Sequence, residues 1–170
     1  MALEKYIRDI QDFPKPGIVF KDITPLLSSP DGTKECLQLF IENLKGKKID
    51  KVVGAESRGF LFGILLAHEL NAGFVPVRKP KKLPYKTFSA SYALEYGTDT
   101  LEIHVDAIKK GEKVLVHDDV LATGGTAKAV CELVEKLGGE IVQCNFLMEL
   151  YFLKGREKIS EYEIYSPLIY

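Results

Sequence analysis

The sequence predicts an α/β fold with a central, mostly parallel sheet flanked by helices. Three observations predict it. Short apolar runs at KVVGA (51–55), Gly73 to Val77, KVLVHD (113–118) and Glu140 to Leu147 read as buried strands. Helical patterns rich in Leu, Ile, Phe and Val alternate with them, at Gly59 to Leu70 and Thr126 to Leu137. Glycine-bearing turns, GAESRGF and ATGGT, stand where strand gives way to helix. Alternation of this kind covers both faces of a parallel sheet.

Taken in order, residues 3 to 11 suit a short helix with Leu3, Tyr6, Ile7 and Ile10 on one face. The next stretch, DFPKPGIVFKDITPLL, has prolines at 14, 16 and 25 that forbid a continuous helix. An ordered loop with an extended piece at Ile18 to Phe20 is expected there. A helix starts at Pro30, a residue tolerated in a first turn, and runs to about Lys45. Cys36, Leu37, Phe40, Ile41 and Leu44 supply its apolar stripe. Between Lys79 and Thr98 the chain is basic, broken by prolines and rich in hydroxyls, which suits a hairpin or a long loop. The C-terminal stretch combines a basic turn, LKGREK, with an apolar, strand-like end.

A chain of 170 residues suits one domain, here 1–170. The formal net charge of −1 argues against a nucleic-acid-binding surface, which needs a clustered basic excess. No apolar stretch reaches the length of a membrane span, and the charged start lacks the pattern of a signal peptide. Cys36, Cys131 and Cys144 lie far apart with no CxxC pair, as expected of core thiols in a reducing cytoplasm.

The motif with the most chemistry is VLVHDDVLATGGTAKA, 114–129. An apolar strand ends in two carboxylates, Asp118 and Asp119, and a Thr-Gly-Gly-Thr turn leads into a helix. In open parallel sheets ligands bind beyond the carboxyl ends of the strands, where this turn falls. Its glycines let the backbone approach a ligand, and N–H groups at the helix start favour an anion. Two acids repel a phosphate, so they must face another part of the ligand, either sugar hydroxyls or a cation. Phosphate at one end and a cis-diol nearby describe a ribose 5-phosphate. Neither a GxxxxGK-S/T loop nor a GxGxxG turn is present.

This run resembles the signature by which type I phosphoribosyltransferases bind 5-phosphoribosyl-1-pyrophosphate (PRPP). The resemblance implies that Asp118 and Asp119 hold the ribose 2′- and 3′-hydroxyls, while Ala122, Thr123, Gly124, Gly125 and Thr126 cradle the 5′-phosphate. It implies Mg2+ as cofactor, held mainly by PRPP, pyrophosphate and water, with no direct protein ligand. His117 stands where that family usually has an aliphatic residue and reads as a core or edge imidazole.

Other stretches resemble the adenine phosphoribosyltransferases within that family. DFPKPGIVFKDITPLL implies Phe20 stacked on adenine, with the main chain of Val19 and Lys21 bonding its edge; arginine is commoner at position 21. ELYFLKGREK (149–158) implies Leu150 on the second face of the base. GAESRGF (54–60) is similar to a pyrophosphate loop, implying contacts from Glu56, Ser57 and Arg58. RKPKKLPYKTFSASYALEYGT (78–98) is similar to a mobile catalytic loop over 80–98, in which Lys82 reaches pyrophosphate. Arg78 contributes there from a neighbouring subunit, Glu95 serves as acid/base, and Tyr96 closes the loop. The resemblance further implies a small hood from segments 1–29 and 148–170 and a homodimer. The ligands it implies are adenine, PRPP, AMP and pyrophosphate, with Glu95 and Arg58 as the catalytic pair. A phosphoribosyltransferase for xanthine or orotate, or a PRPP-sensing regulator without catalysis, stays open from sequence.

Overall fold

The computed structural model describes residues 2–93 and 97–170. After a 3-10 turn at Ala2–Tyr6 the chain forms β1 (Arg8–Gln11), β2 (Val19–Asp22), α1 (Thr24–Ser28) and α2 (Pro30–Asn43). It continues through β3 (Lys51–Ala55), α3 (Gly59–Glu69) and β4 (Gly73–Val77), then β5 (Thr87–Ala93) and β6 (Thr98–His104). The last part comprises β7 (Lys113–Leu121), α4 (Gly125–Lys136), β8 (Glu140–Glu149), two 3-10 turns, β9 (Ile164–Tyr165) and β10 (Leu168–Ile169). The central sheet runs β10-β8-β7-β3-β4, with β9 also on β8, and its pairings are parallel. The α/β expectation holds.

Alternation along the strands sends successive side chains to two cores. On β7, Val114 and Val116 pack with Ala127, Val130 and Val134 of α4, while Leu115 joins Phe40, Phe62 and Leu66 of α2 and α3 on the other face. An apolar run with no polar alternate is thus buried on both sides. Ser29 caps α2, its hydroxyl accepting from the Gly32 N–H at 3.1 Å, with Pro30 in the first turn. On β8 one extra residue intervenes: Val114 pairs with Ile141 but Leu115 pairs with Gln143, a bulge that leaves Val142 over.

Two expectations change. The helix expected over 3–11 is a 3-10 turn followed by a strand, because Arg8 to Gln11 pair with Asp22 to Val19 in an antiparallel hairpin. Cross-strand charges fasten it: the Arg8 guanidinium on Asp22 at 2.6 Å and the Lys21 ammonium on Asp9 at 2.7 Å. Pairing distant in sequence outweighs an apolar spacing that a four-residue stretch shares with a helix. Strand β7 also runs past Asp118 to Leu121, so both acids lie inside a strand. Of the two shapes open for the basic segment, the hairpin is found: β5 and β6 pair antiparallel, Thr87 opposite His104 to Ala93 opposite Thr98. Among the described residues no helix is long and apolar enough to cross a membrane.

His117 is a core residue. Its Nδ1 lies 2.7 Å from Asn145 Oδ1 and its ring meets Phe40 edge-on at 5.4 Å. Burial pushes the imidazole down to about 4, against the opposing pulls of Asn145 and Asp119. A depressed histidine is neutral when folded but takes up a proton when unfolded below about 6.5, so its contribution is lost as pH falls from there towards 4. The loss is on the order of 3 kcal/mol at most. Urea midpoints taken at about pH 7 and about pH 5 should therefore fall further in the parent than in His117→Val. Equal falls contradict this account.

Candidate active site

A cleft of about 520 Å3 opens at the carboxyl ends of β3 and β7. Four stretches named by the sequence motifs contribute to its wall. Val19, Phe20 and Lys21 come from β2, and Glu56, Ser57 and Arg58 from the turn between β3 and α3. Asp118, Asp119, Ala122 and Thr126 come from β7 and the turn into α4, and Leu150 from the exit of β8. Thr123, Gly124 and Gly125 line a smaller adjoining hollow of about 60 Å3 that shares Ala122 and Thr126 with the cleft. Arg78 and Lys82 do not line the cleft. Glu95 and Tyr96 lie outside the described residues.

The two acids are held apart in role by their surroundings. Arg58, at the start of α3, donates through Nε to Asp119, and its guanidinium carbon stands 5.7 Å from the centre of the Phe20 ring. The Asp119 N–H donates to Asp118 Oδ1 at 2.8 Å. Burial drives the Asp118 carboxyl well above the usual carboxylate range and the Asp119 charge adds to the rise, while Arg58 opposes it. An acid in this state gains from hydroxyl donors brought close to it.

The β3–α3 turn contains a cis peptide between Glu56 and Ser57. The Glu56 N–H is used within the sheet, donating to Val77 O at 2.9 Å, so the turn's free backbone donors begin at Ser57. The Glu56 carboxylate accepts from Arg78 Nη2 at 3.1 Å and from the Lys79 N–H at 2.8 Å. Burial alone would raise it, but these donors outweigh burial and keep it below the ordinary range. Arg78 also donates to Lys82 O at 3.3 Å. Its guanidinium is thereby held between the Glu56 carboxylate and the main chain at Lys82.

Several cleft residues carried no sequence signal. Lys79 and Tyr92 line the cleft and meet at Asp99: Lys79 Nζ and Tyr92 Oη both donate to its carboxylate. Thr126 Oγ1 in turn donates to Tyr92 Oη at 3.2 Å. The β5–β6 hairpin is thus hydrogen-bonded to the glycine turn. Met148 and Ile18 add apolar wall. A basic, tyrosine-rich segment hinted at such contacts without saying which residues make them.

Phe20 is steadied edge-on by Phe13, ring centres 5.2 Å apart. Lys21 turns its ammonium to Asp9 and lies over the Tyr170 ring at 4.1 Å. Leu150 is set by its own N–H, which donates to Leu121 O at 2.9 Å. Among the described residues no three His, Cys, Asp or Glu side chains stand together as a metal site.

Residues 24–166 match the family model of the phosphoribosyl transferase domain. The adenine phosphoribosyltransferase of Flavobacterium johnsoniae is 73% identical over 170 residues, covering 100% of both chains. The chain belongs to the adenine phosphoribosyltransferase family. Among solved structures, the adenine phosphoribosyltransferase of Rhodothermus marinus superposes with a TM-score of 0.94 at 53% identity, covering 99% of this chain and 97% of that one. The Saccharomyces cerevisiae adenine phosphoribosyltransferase, complexed with an imino-altritol bisphosphate and adenine, gives 0.90 at 44% identity over 97% and 96%. Full-length similarity to adenine phosphoribosyltransferases means that the β1–β2 hairpin and the Leu150 segment belong to the shared fold.

Replacing Arg58 by Gln removes the cation that lowers Asp118, so this carboxyl should titrate at still higher pH in the variant. Carbon NMR of labelled aspartate reads the titration, and an unchanged or downward move contradicts the assignment of Arg58 as its neighbour.

Proposed function

We propose that the chain transfers the 5-phosphoribosyl group of PRPP to adenine, giving AMP and pyrophosphate. One observation carries this reading. A single cleft brings an aromatic ring and an aliphatic wall, Phe20 and Leu150, to the same space as the acid pair, with the glycine turn in the hollow adjoining it. A flat base and a sugar phosphate fit side by side in such a space.

In this reading Phe20 and Leu150 clasp adenine. The main chain at Val19 and Lys21 meets its edge, offering an N–H and a C=O to its acceptor–donor pair. The side chain of Lys21 is engaged with Asp9, which leaves the backbone as the reader of the base. Asp118 and Asp119 take the ribose hydroxyls, and Ala122 to Thr126 surround the 5′-phosphate with backbone donors at the start of α4. Arg58 leaves Asp119 to meet pyrophosphate as negative charge grows there, joined by Ser57. Lys82 adds to this charge when the 80–98 segment folds over the cleft, which also keeps water from PRPP, and Arg78 contributes from a neighbouring subunit.

Adenine N9 forms its bond to the anomeric carbon as the bond to the pyrophosphate oxygen breaks. The N9 proton goes to Glu95, and Tyr96 helps to hold the segment closed. Magnesium suits a site with few acidic side chains, since it keeps water and binds chiefly through phosphate oxygens. When bound it neutralises charge on the pyrophosphate. The segments 1–29 and 148–170 act together as a hood over the base.

A second copy of the chain covers α3. That helix is apolar nearly all round, and Leu61 and Ile64 are exposed beside an apolar hollow of about 470 Å3. The three cysteines are buried and free, as suits the reducing cytoplasm.

With PRPP and magnesium, pyrophosphate release should require adenine and stay at background with hypoxanthine, xanthine or orotate. Release with another base alone would reassign the substrate. Glu95→Gln should lower turnover by roughly two to four powers of ten while PRPP binding persists. Undiminished turnover takes Glu95 out of the mechanism. Sedimentation should give twice the chain mass, and Leu61→Glu with Ile64→Glu should reduce it to one.

A further inference from the structure

The segment leaving β8 touches both ends of the cleft. Leu150 lines it, and five residues later Gly155 packs on the back of the glycine turn. The packing is backbone on backbone. A Cβ on Gly155 would lie 2.3 Å from Ala122 O and 3.0 Å from Gly124 N, and one on Gly124 would lie 2.4 Å from Gly155 O. Gly124 has a φ of +79°, so it is doubly bound to be glycine. The outer surface of Ala122–Gly124 is therefore moulded by the chain at Gly155.

What keeps Gly155 there is visible beside it. Glu149, the last residue of β8, has a carboxylate only 1% exposed, and Arg156 Nε donates to both of its oxygens at 2.8 and 2.7 Å. This pair closes the loop from 149 to 156 at its base. Ile159, buried in the core on the α4 side, anchors the far end. Lys154, with a φ of 55°, reverses the chain between them. Arg156 does not line the cleft.

We infer that Arg156, through its pair with Glu149, is a positioning residue for the phosphate-binding turn. It presses Gly155 against Ala122 and Gly124 and so fixes the N–H groups that receive the 5′-phosphate. The inference rests on the phosphoribosyl transfer proposed above. It concerns one end of the ligand only, because the nearest neighbours of Gly155 are Leu121, Ala122 and Gly124. Preorganised donors lose affinity steeply when their support gives way.

The experiment is calorimetric titration of the full chain with ribose 5-phosphate and, separately, with magnesium pyrophosphate. Parent, Arg156→Lys, Arg156→Gln and the double variant Glu149→Gln, Arg156→Gln are compared. The double variant leaves no lone buried charge, so it separates loss of the pair from the cost of an unpaired Glu149 in the single glutamine variant. Ribose 5-phosphate should bind about tenfold or more weakly to the glutamine variants, and Arg156→Lys should recover most of the loss. Pyrophosphate affinity should stay within about twofold throughout. Unchanged ribose 5-phosphate binding in the double variant overturns the inference, as does an equal loss for both ligands, which marks a merely structural pair. A parent that binds no ribose 5-phosphate overturns the functional reading itself, and this inference with it.

Discussion

Two carboxylates side by side at the end of a buried strand make the cleft possible and are also its main liability. Burial, with their mutual repulsion added, holds Asp118 well above its normal range. The guanidinium of Arg58 on Asp119 compensates part of this charge. Parallel pairing of β3 with β7 dictates this meeting, since Arg58 follows the end of one strand and the acids lie near the end of the other. Charge compensation and sheet topology are here one constraint. The same arginine lies over Phe20, so the ion pair also reaches towards the wall provided by β2.

In the parallel core the starts of strands and helices could be read from the sequence, whereas β7 and β8 run on past their expected ends. Strands 51–55 and 73–77 fall where the apolar runs place them, and α2, α3 and α4 start within a residue of expectation. These segments are legible because burial on two faces leaves an unbroken apolar signature, and because Pro30 and Gly125 mark helix starts. The amino-terminal strand was not legible. Arg8 to Gln11 owes its conformation to partners on a second strand, Asp22 to Val19, and to two surface ion pairs, none of which leaves a local period.

The site divides in the same way. Asp118, Asp119 and the glycine turn form one contiguous motif that sequence order alone nominated, while Arg58, in a second stretch, needed the family resemblance. Phe20 and Leu150 needed a family resemblance, since neither differs in type from a core residue. Lys79, Tyr92 and Asp99 were hidden for another reason. Their value lies in meeting one another and Thr126 across two strands and a turn, a relation no single segment contains. The side chain of Glu56, nominated with its turn, faces Arg78 and Lys79 and serves to brace the neighbouring strand end.

The bulge at Val142 has an architectural meaning of its own. A strand has a phase as well as a position, and one surplus residue exchanges the faces of all that follow. Everything from Gln143 to Glu149 inherits its inward or outward sense from that insertion, and so does the chain that departs at Leu150. The contour of the cleft at Leu150 is therefore written partly at the opposite end of β8, where a lost residue would be corrected locally or else transmitted along the whole strand to the cleft wall.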